Sequence, residues 1–391
     1  LVENANENKS KEESFITKFS RYYTPIVVSA AVLLAIIPAL LNLTTFADSV
    51  YRALIFLVIS CPCALVISVP MAFFGGIGGA ASKGILFKGG AVFSAAASPK
   101  TVAFDKTGTL TTGRIEAQEV RAIGIPEDEL RLLVASVESG SNHPIARALA
   151  ALSETRLSVT DLAELAGRGV TATIGGVRVA VGNSALMTEL GIKTESSSAG
   201  AVLVARGGVL VGEIILADTE KSEAHDAIRA LRRLGVTKTV MLTGDRKENA
   251  LPVAESLGID DIRAELMPED KFAYIEKSER TIYVGDGIND APALRMASVG
   301  VAMGRGGSDS AIEAADLVIM SDNLTRIPTF IKIARKTVGI AKQNIVFAIG
   351  VKLLILGFIA LGFANMWLAV FADVGVAVIA ILNAMRALRV K

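Results

Sequence analysis

Apolar residues crowd into the two ends of this chain, while its middle alternates short apolar runs with polar, helix-forming stretches. From Ile26 to Phe46 there are 21 residues without a charge, enough to cross a bilayer core as a helix. A second uncharged run, Ala53–Ser82, is 30 residues long and carries Pro62 and Pro70, so a break inside it is expected. Gly339–Phe363 and Met366–Leu388 read as two further spans joined by a tight Ala364-Asn365 turn. The pattern predicts transmembrane helices at 25–46, 51–82, 339–363 and 366–388, after a polar lead-in over 1–24.

The flanking charge is consistent with that reading. Lys18 and Arg21 precede the first run, Lys83 and Lys88 follow the second, and Lys332, Arg335 and Lys336 precede the third. Arg386, Arg389 and Lys391 close the fourth, and the short connections between runs carry little positive charge. By the positive-inside rule both termini and the large middle segment are cytoplasmic, in an integral protein of the plasma or inner membrane. The first residues are polar and charged and show no signal-peptide pattern. Over the whole chain, 40 basic and 39 acidic residues nearly cancel, so no basic field points to nucleic acid.

Between Pro99 and Leu324 the periodicity changes. Thr101–Phe104 is a short apolar strand running into Asp105, Thr239–Leu242 runs into Thr243-Gly244-Asp245, and Thr281–Val284 runs into Gly285-Asp286. Such strands, alternating with helical stretches like Glu223–Leu234, predict a parallel, doubly wound sheet with ligands at its carboxyl ends. From Gly113 to about Ile214 this pattern is interrupted by strand-like alternations at Val170–Ile174, Val177–Val181 and Ala201–Val204. The expected organisation is therefore a cytoplasmic α/β domain over 99–112 and 215–324, with an inserted α+β domain over 113–214. Ser196–Gly200 reads as a loop.

Three carboxylates at strand ends form a set of hard oxygen donors suited to Mg²⁺ and phosphate. The first stands in Asp105-Lys-Thr-Gly-Thr-Leu-Thr111, which resembles the phosphorylation motif of P-type ATPases without a mismatch. Their catalytic domain has the haloacid-dehalogenase fold. The resemblance implies that Asp105 takes the γ-phosphoryl group of ATP as a nucleophile, with Lys106 and Thr107 in the same catalytic set. In related phosphatases the position of Thr107 is usually a second Asp acting as general acid/base. Thr cannot do that work, so the aspartyl phosphate is expected to persist. By the same resemblance, Thr243, Gly244 and Asp245 hold phosphate oxygens, and Lys271 supplies positive charge to the phosphoryl group. Asp286 binds Mg²⁺ with Asp105 and Thr107, and Asn289 and Asp290 complete the site.

No Walker A loop is present; Gly304–Ser308 does not fit one and reads as structural. Instead, Ser141-Asn-His143-Pro144-Ile-Ala146 resembles the His-Pro motif of heavy-metal pumps. That resemblance implies that Glu138, His143 and Pro144 lie at the adenine ring. It also has Gly167 and Gly169 admit the nucleotide close to the backbone, with Asn183 adding a polar contact. His225, the other histidine, lies in no motif.

Cys61-Pro62-Cys63 lies inside the second apolar run. Two cysteines one residue apart there read as soft-metal ligands rather than as a bridge, since proline frees backbone carbonyls and turns both thiols toward one cavity. Thiolates at membrane depth select Cu⁺, Zn²⁺, Cd²⁺ or Pb²⁺ over Mg²⁺ or Ca²⁺. The last two runs contain Lys352 and Asp373, separated by 20 uncharged residues. Counted from the expected turns at 1.5 Å per residue, Lys352, Asp373 and Cys61 lie at depths of about 18, 14 and 20 Å. One site is expected, with Cys61, Cys63 and Asp373 as anionic ligands and Lys352 as a counter-charge once the metal has left. This pairing resembles the Zn²⁺/Cd²⁺/Pb²⁺ branch of the family; the Cu⁺ branch would carry Tyr/Asn and Met/Ser residues instead. The residues do not rank the three divalent ions.

The resemblance runs from about Ser14 to Lys391. Family members normally have eight spans and a Thr-Gly-Glu actuator motif, which these residues lack. The chain therefore reads as the C-terminal part of a pump whose N-terminal actuator and spans are its expected partner, with the bilayer and metal ions. Alone it is expected to bind nucleotide but not to complete turnover. The rival readings are a Cu⁺ exporter and a haloacid-dehalogenase-like phosphatase.

Overall fold

The computed structural model describes residues 11–141, 143–194, 201–304, 308–360 and 366–389. Outside them lie the first part of the lead-in, Asn142, the Ser196–Gly200 loop, the centre of Gly304–Ser308, the Ala364-Asn365 turn and Lys391. The chain forms two compact units, Leu1–Thr109 with Ser222–Lys391, and Leu110–Lys221. The second unit extends beyond the expected 113–214 at both ends because its entry and exit strands are long. Thr111–Ala122 and Val209–Glu220 run antiparallel to each other from Thr111↔Glu220 to Ala122↔Gly212.

In the first unit a seven-stranded sheet has the order Ile85–Phe87, Leu317–Ile319, Val299–Met303, Thr281–Gly285, Thr101–Asp105, Lys238–Leu242, Asp261–Arg263. All neighbours are parallel except the first pair. The central strands are continuous apolar runs because both their faces are covered: Val102, Ala103 and Phe104, like Ile282, Tyr283 and Val284, are buried. The covering helices are amphipathic. Ala224–Arg233 buries Ala224, Ala227, Ile228 and Leu231, a three-and-four spacing that makes one apolar face. Pro268 opens Pro268–Glu276 at a position where its missing N–H costs no helical hydrogen bond, and this helix carries Lys271 inward.

Four segments of the same unit are long and apolar enough to cross a membrane: Arg21–Leu40, Phe46–Ala81, Arg326–Phe358 and Met366–Ala387. They expose large apolar side chains such as Leu54, Val346, Leu353, Trp367 and Leu382, an arrangement suited to lipid rather than water. The protein is an integral membrane protein. The second segment is two helices, Phe46–Ile59 and Cys63–Ala81, separated at Ser60-Cys61-Pro62. Pro62 has no N–H to extend the first helix, and its carbonyl instead accepts from Leu65 and Val66 to start the second. The third is one 35-residue helix, Arg326–Ala360, beginning well before the expected 339 because its only proline, Pro328, lies in the first turn. The last contains a π-helical turn at Phe371–Gly375.

The second unit is a six-stranded antiparallel sheet in the order Thr111–Ala122, Val209–Glu220, Val202–Arg206, Val177–Gly182, Gly169–Ile174, Val159–Leu165. Helices Glu127–Glu138 and Pro144–Ala150 cover it, packing Leu130, Leu133, Val134, Val137 and Leu149 against Val170, Val179, Val181, Val204 and Ile214.

Candidate functional site

Asp105 ends the strand flanked by Thr281–Gly285 and Lys238–Leu242, so the three neighbouring carboxyl ends deliver their loops to one place. Carboxylate oxygens of Asp105, Asp286 and Asp290 lie within 4.8 Å of one another. Lys271 Nζ donates to Asp105 Oδ1 at 2.5 Å and to Asp290 Oδ1 at 2.9 Å. Burial first, and Asp290 second, push the Asp105 carboxyl up to about 7, while Lys271 pulls it back down. Burial works against the Lys271 charge, but Asp105 and Asp290 outweigh it and hold the ammonium above its ordinary range. Lys106, itself buried, forms an ion pair with Asp245, which ties the Asp105 loop to the Thr243-Gly244-Asp245 loop. Thr243 is buried and accepts from the Asp245 N–H at 3.1 Å, whereas Gly244, Thr107 and Asn289 are exposed.

Two residues here were not singled out from the sequence. Gly108 has φ +73°, and a Cβ on it would lie 1.8 Å from Asp286 Oδ2, so only glycine lets this loop close over that carboxylate. Tyr283, fully buried, donates its hydroxyl to Asp290 Oδ1 at 2.6 Å. Gly108 was legible as a motif glycine, but its contact with a residue 178 positions later was not. The close carboxylates, the hard donor set and the cradle at Gly108 together fit a Mg²⁺ ion.

In the second unit, Asn183 joins the Gly167–Gly169 turn, donating from Nδ2 to the Gly167 carbonyl at 2.9 Å. Its Oδ1 caps the helix Ser184–Glu189 by accepting from Leu186 N. Gly167 (φ +70°) is open to solvent. Gly169 has a different reason for being glycine: a Cβ there would meet the Val181 carbonyl at 2.2 Å. Strand packing is therefore enough to require glycine at this position. His143 is exposed and caps the helix Pro144–Ala150, with Nδ1 accepting from Ile145 N at 3.3 Å. Glu138 is buried, and burial first, then Glu164, push its carboxyl up to about 7. Ser141 links this turn to Glu164 through a 3.3 Å hydrogen bond.

Within the apolar spans, the sulfurs of Cys61 and Cys63 and a carboxylate oxygen of Asp373 lie within 4.8 Å of one another. Lys352 Nζ stands 3.6 Å from Asp373 Oδ1. Asp373 is carried on the π-helical turn, where one extra residue re-aims the side chains of a helix. Neither Lys352 Nζ nor Asp373 Oδ1 has a hydrogen-bond partner among the described residues. The structure joins the two sulfurs in a disulfide, where free thiolates were expected. The break at Pro62 sets the two Cα atoms 5.4 Å apart, within the range that permits a bridge. A bridged pair has no thiolate charge, so the ligand reading applies to the reduced pair.

Residues 99–298 match the family model of haloacid dehalogenase-like hydrolases, which sets the class of the catalytic fold. The chain is 47% identical over 405 residues to a cadmium, zinc and cobalt-transporting ATPase of Bacillus subtilis, matching 100% of this chain and 58% of that protein. It is 47% identical to a zinc-transporting ATPase of Synechocystis, over 99% of this chain and 55% of the relative. A crystal structure of a zinc-transporting PIB-type ATPase in the E2·Pi state superposes with a TM-score of 0.87 at 39% identity, covering 99% of this chain and 66% of that one. The chain belongs to the haloacid dehalogenase-like hydrolases, and along its length it is similar to heavy-metal-transporting P-type ATPases. It spans a little over half the length of these curated relatives.

Proposed function

We propose that this chain is the catalytic and ion-path portion of an ATP-driven exporter of Zn²⁺, Cd²⁺ or Pb²⁺. The observation that carries this reading is the approach of Cys61, Cys63 and Asp373 to one another inside apolar spans, with Lys352 beside them. Two thiolates and a carboxylate make a −3 ligand set that suits a divalent borderline ion. When the ion leaves, Lys352 balances Asp373. A Cu⁺ exporter is not favoured, because a monovalent soft ion gains nothing from the Asp373–Lys352 pair.

The energy-coupling step follows from the first unit. An Asp105 carboxylate oxygen attacks the γ-phosphorus of ATP. The bond from that phosphorus to the β,γ-bridging oxygen breaks, ADP leaves with the electron pair, and an acyl phosphate forms on Asp105. Lys271 neutralises charge on the transferring group, and the Lys106–Asp245 pair fixes the loop that faces it. Asp105, Asp286 and Thr107 would hold Mg²⁺, with Asp290 beside them; a bound Mg²⁺ would offset phosphate charge. Thr107 offers no base for hydrolysis, which separates this chemistry from that of a phosphatase. Glu138, His143, Pro144, Gly167, Gly169 and Asn183 are proposed to present the nucleotide. The proposed topology places both termini, the seven-stranded sheet with its helices and the second unit in the cytoplasm, and an N-terminal actuator portion completes the cycle.

Calorimetric titration of the reduced chain with Zn²⁺ tests the reading. One tight site is expected, lost in Cys61→Ala and in Asp373→Ala. Unchanged affinity in Asp373→Ala contradicts the three-ligand site.

A further inference from the structure

Tyr283 is the largest fully buried side chain among the described residues, and its partners on the two flanking strands are small. On the strand Thr281–Gly285 it pairs in register with Ala103 on one side and Gly300 on the other. Ala293, Ala302, Ala311 and Ala315 belong to the same buried cluster. These small residues make room for a ring, but a phenylalanine ring would fill the room equally well. Packing therefore accounts for the ring and not for the hydroxyl.

The hydroxyl is aimed at the phosphoryl site. It donates to Asp290 Oδ1 at 2.6 Å, and the same oxygen accepts from Lys271 Nζ at 2.9 Å. Asp290 Oδ2 accepts from Gly287 N at 3.4 Å. Asp290 is 2% exposed, so these donors, rather than bulk water, stabilise its charge.

We infer that Tyr283 is a positioning residue for phosphoryl transfer: its phenol fixes Asp290 and leaves Lys271 shared between Asp290 and the Asp105 nucleophile. This rests on the reading of Asp105 as the phosphoryl acceptor. An ammonium between two carboxylates settles where their attractions balance. Lys271 donates to both carboxylates, so the nucleophile and Asp290 compete for one ammonium. Removing the phenolic donor leaves Asp290 Oδ1 with Lys271 alone, and the carboxylate then draws the ammonium toward itself. During transfer Asp105 gives up its negative charge as its oxygen bonds phosphorus and the electron pair leaves with ADP, so Lys271 must be free to shift from the carboxylate to the phosphoryl oxygens. An ammonium held by Asp290 cannot. The loss falls on the transfer step and not on nucleotide capture, which the other unit is proposed to perform.

The test is rapid-quench labelling of the reduced 391-residue chain in lipid nanodiscs with Mg²⁺-[γ-³²P]ATP, beside ATP affinity and thermal midpoint. Tyr283→Phe is expected to slow acyl-phosphate formation about tenfold or more, the loss typical of one hydrogen bond to a charged group. Its ATP dissociation constant should stay within about twofold, and its midpoint should change little. In an Asp290→Asn background the same substitution should change the rate less than about twofold, because the phenol acts through that carboxylate. A wild-type rate in Tyr283→Phe overturns the inference, and so does an equal slowing in the Asp290→Asn background. Parallel loss of rate, ATP binding and thermal midpoint makes Tyr283 a packing residue and also overturns it. A wild-type chain that takes no label overturns the acceptor reading and this inference with it; normal wild-type labelling separates the two failures.

Discussion

Lys352 Nζ lies 3.6 Å from Asp373 Oδ1 inside the apolar spans, beyond a good hydrogen bond, and both groups are at least four-fifths buried. Two opposite charges so placed neutralise each other without locking together. A cation entering beside Cys61 and Cys63 can therefore take over Asp373 at modest cost. Replacing Lys352 by Met leaves Asp373 buried without its counter-charge, a change that typically costs about 3–5 kcal/mol. Zn²⁺ should restore most of that loss. The thermal midpoint of the reduced Lys352→Met chain is predicted to rise more on adding Zn²⁺ than that of the wild type. Equal rises contradict the counter-charge role.

Gly108 makes a sharper prediction for the catalytic loop. Alanine there suffers both the left-handed backbone and a contact 1.8 Å from Asp286 Oδ2. The loop or the carboxylate must move, and either movement opens the Mg²⁺ site. Gly108→Ala is expected to cut phosphorylation at least about a hundredfold while leaving ATP affinity within about twofold. A Mg²⁺ titration of labelling checks this; an unchanged half-saturating Mg²⁺ concentration contradicts it.

Glu138 makes the stability of the second unit depend on pH. Its carboxyl is pushed up to about 7, first by burial and then by Glu164. Between the ordinary carboxylate range and about pH 7, the folded protein holds a proton that the unfolded chain has lost. Stability of the Leu110–Lys221 unit should therefore fall as pH rises through that window and level off above it. Glu138→Gln should remove the decline. Amide protection across Glu127–Glu138, corrected for intrinsic exchange, reports it. An identical decline in the variant assigns it to other groups.

The local signals in the sequence reached further than the long-range ones. Asp105, Thr243 and Asp286 could be placed at strand ends because an apolar run stopped at each. The four apolar runs could be placed because uncharged length is a property of a single segment. What needed contacts across the chain stayed hidden. The close approach of Gly108 to Asp286, the Tyr283–Asp290 hydrogen bond and the packing of Gly169 against Val181 join residues from different elements. The start of the third long helix at Arg326 was also missed, because polar helix outside the apolar run carries no hydropathy signal. Proximity of Cys61 and Cys63 was evident from their spacing, but not their bridged state, since spacing alone does not set oxidation.

Phosphorylation of Asp105 is proposed to respond to a metal held by Cys61, Cys63 and Asp373. Its most direct test is acid-stable ³²P incorporation from Mg²⁺-ATP into the reduced chain in nanodiscs, with and without Zn²⁺. The label should be released by hydroxylamine, absent from Asp105→Asn, and increased by Zn²⁺ in the wild type but not in Asp373→Ala. Label retained in Asp105→Asn, or an equal Zn²⁺ response in Asp373→Ala, would contradict the account.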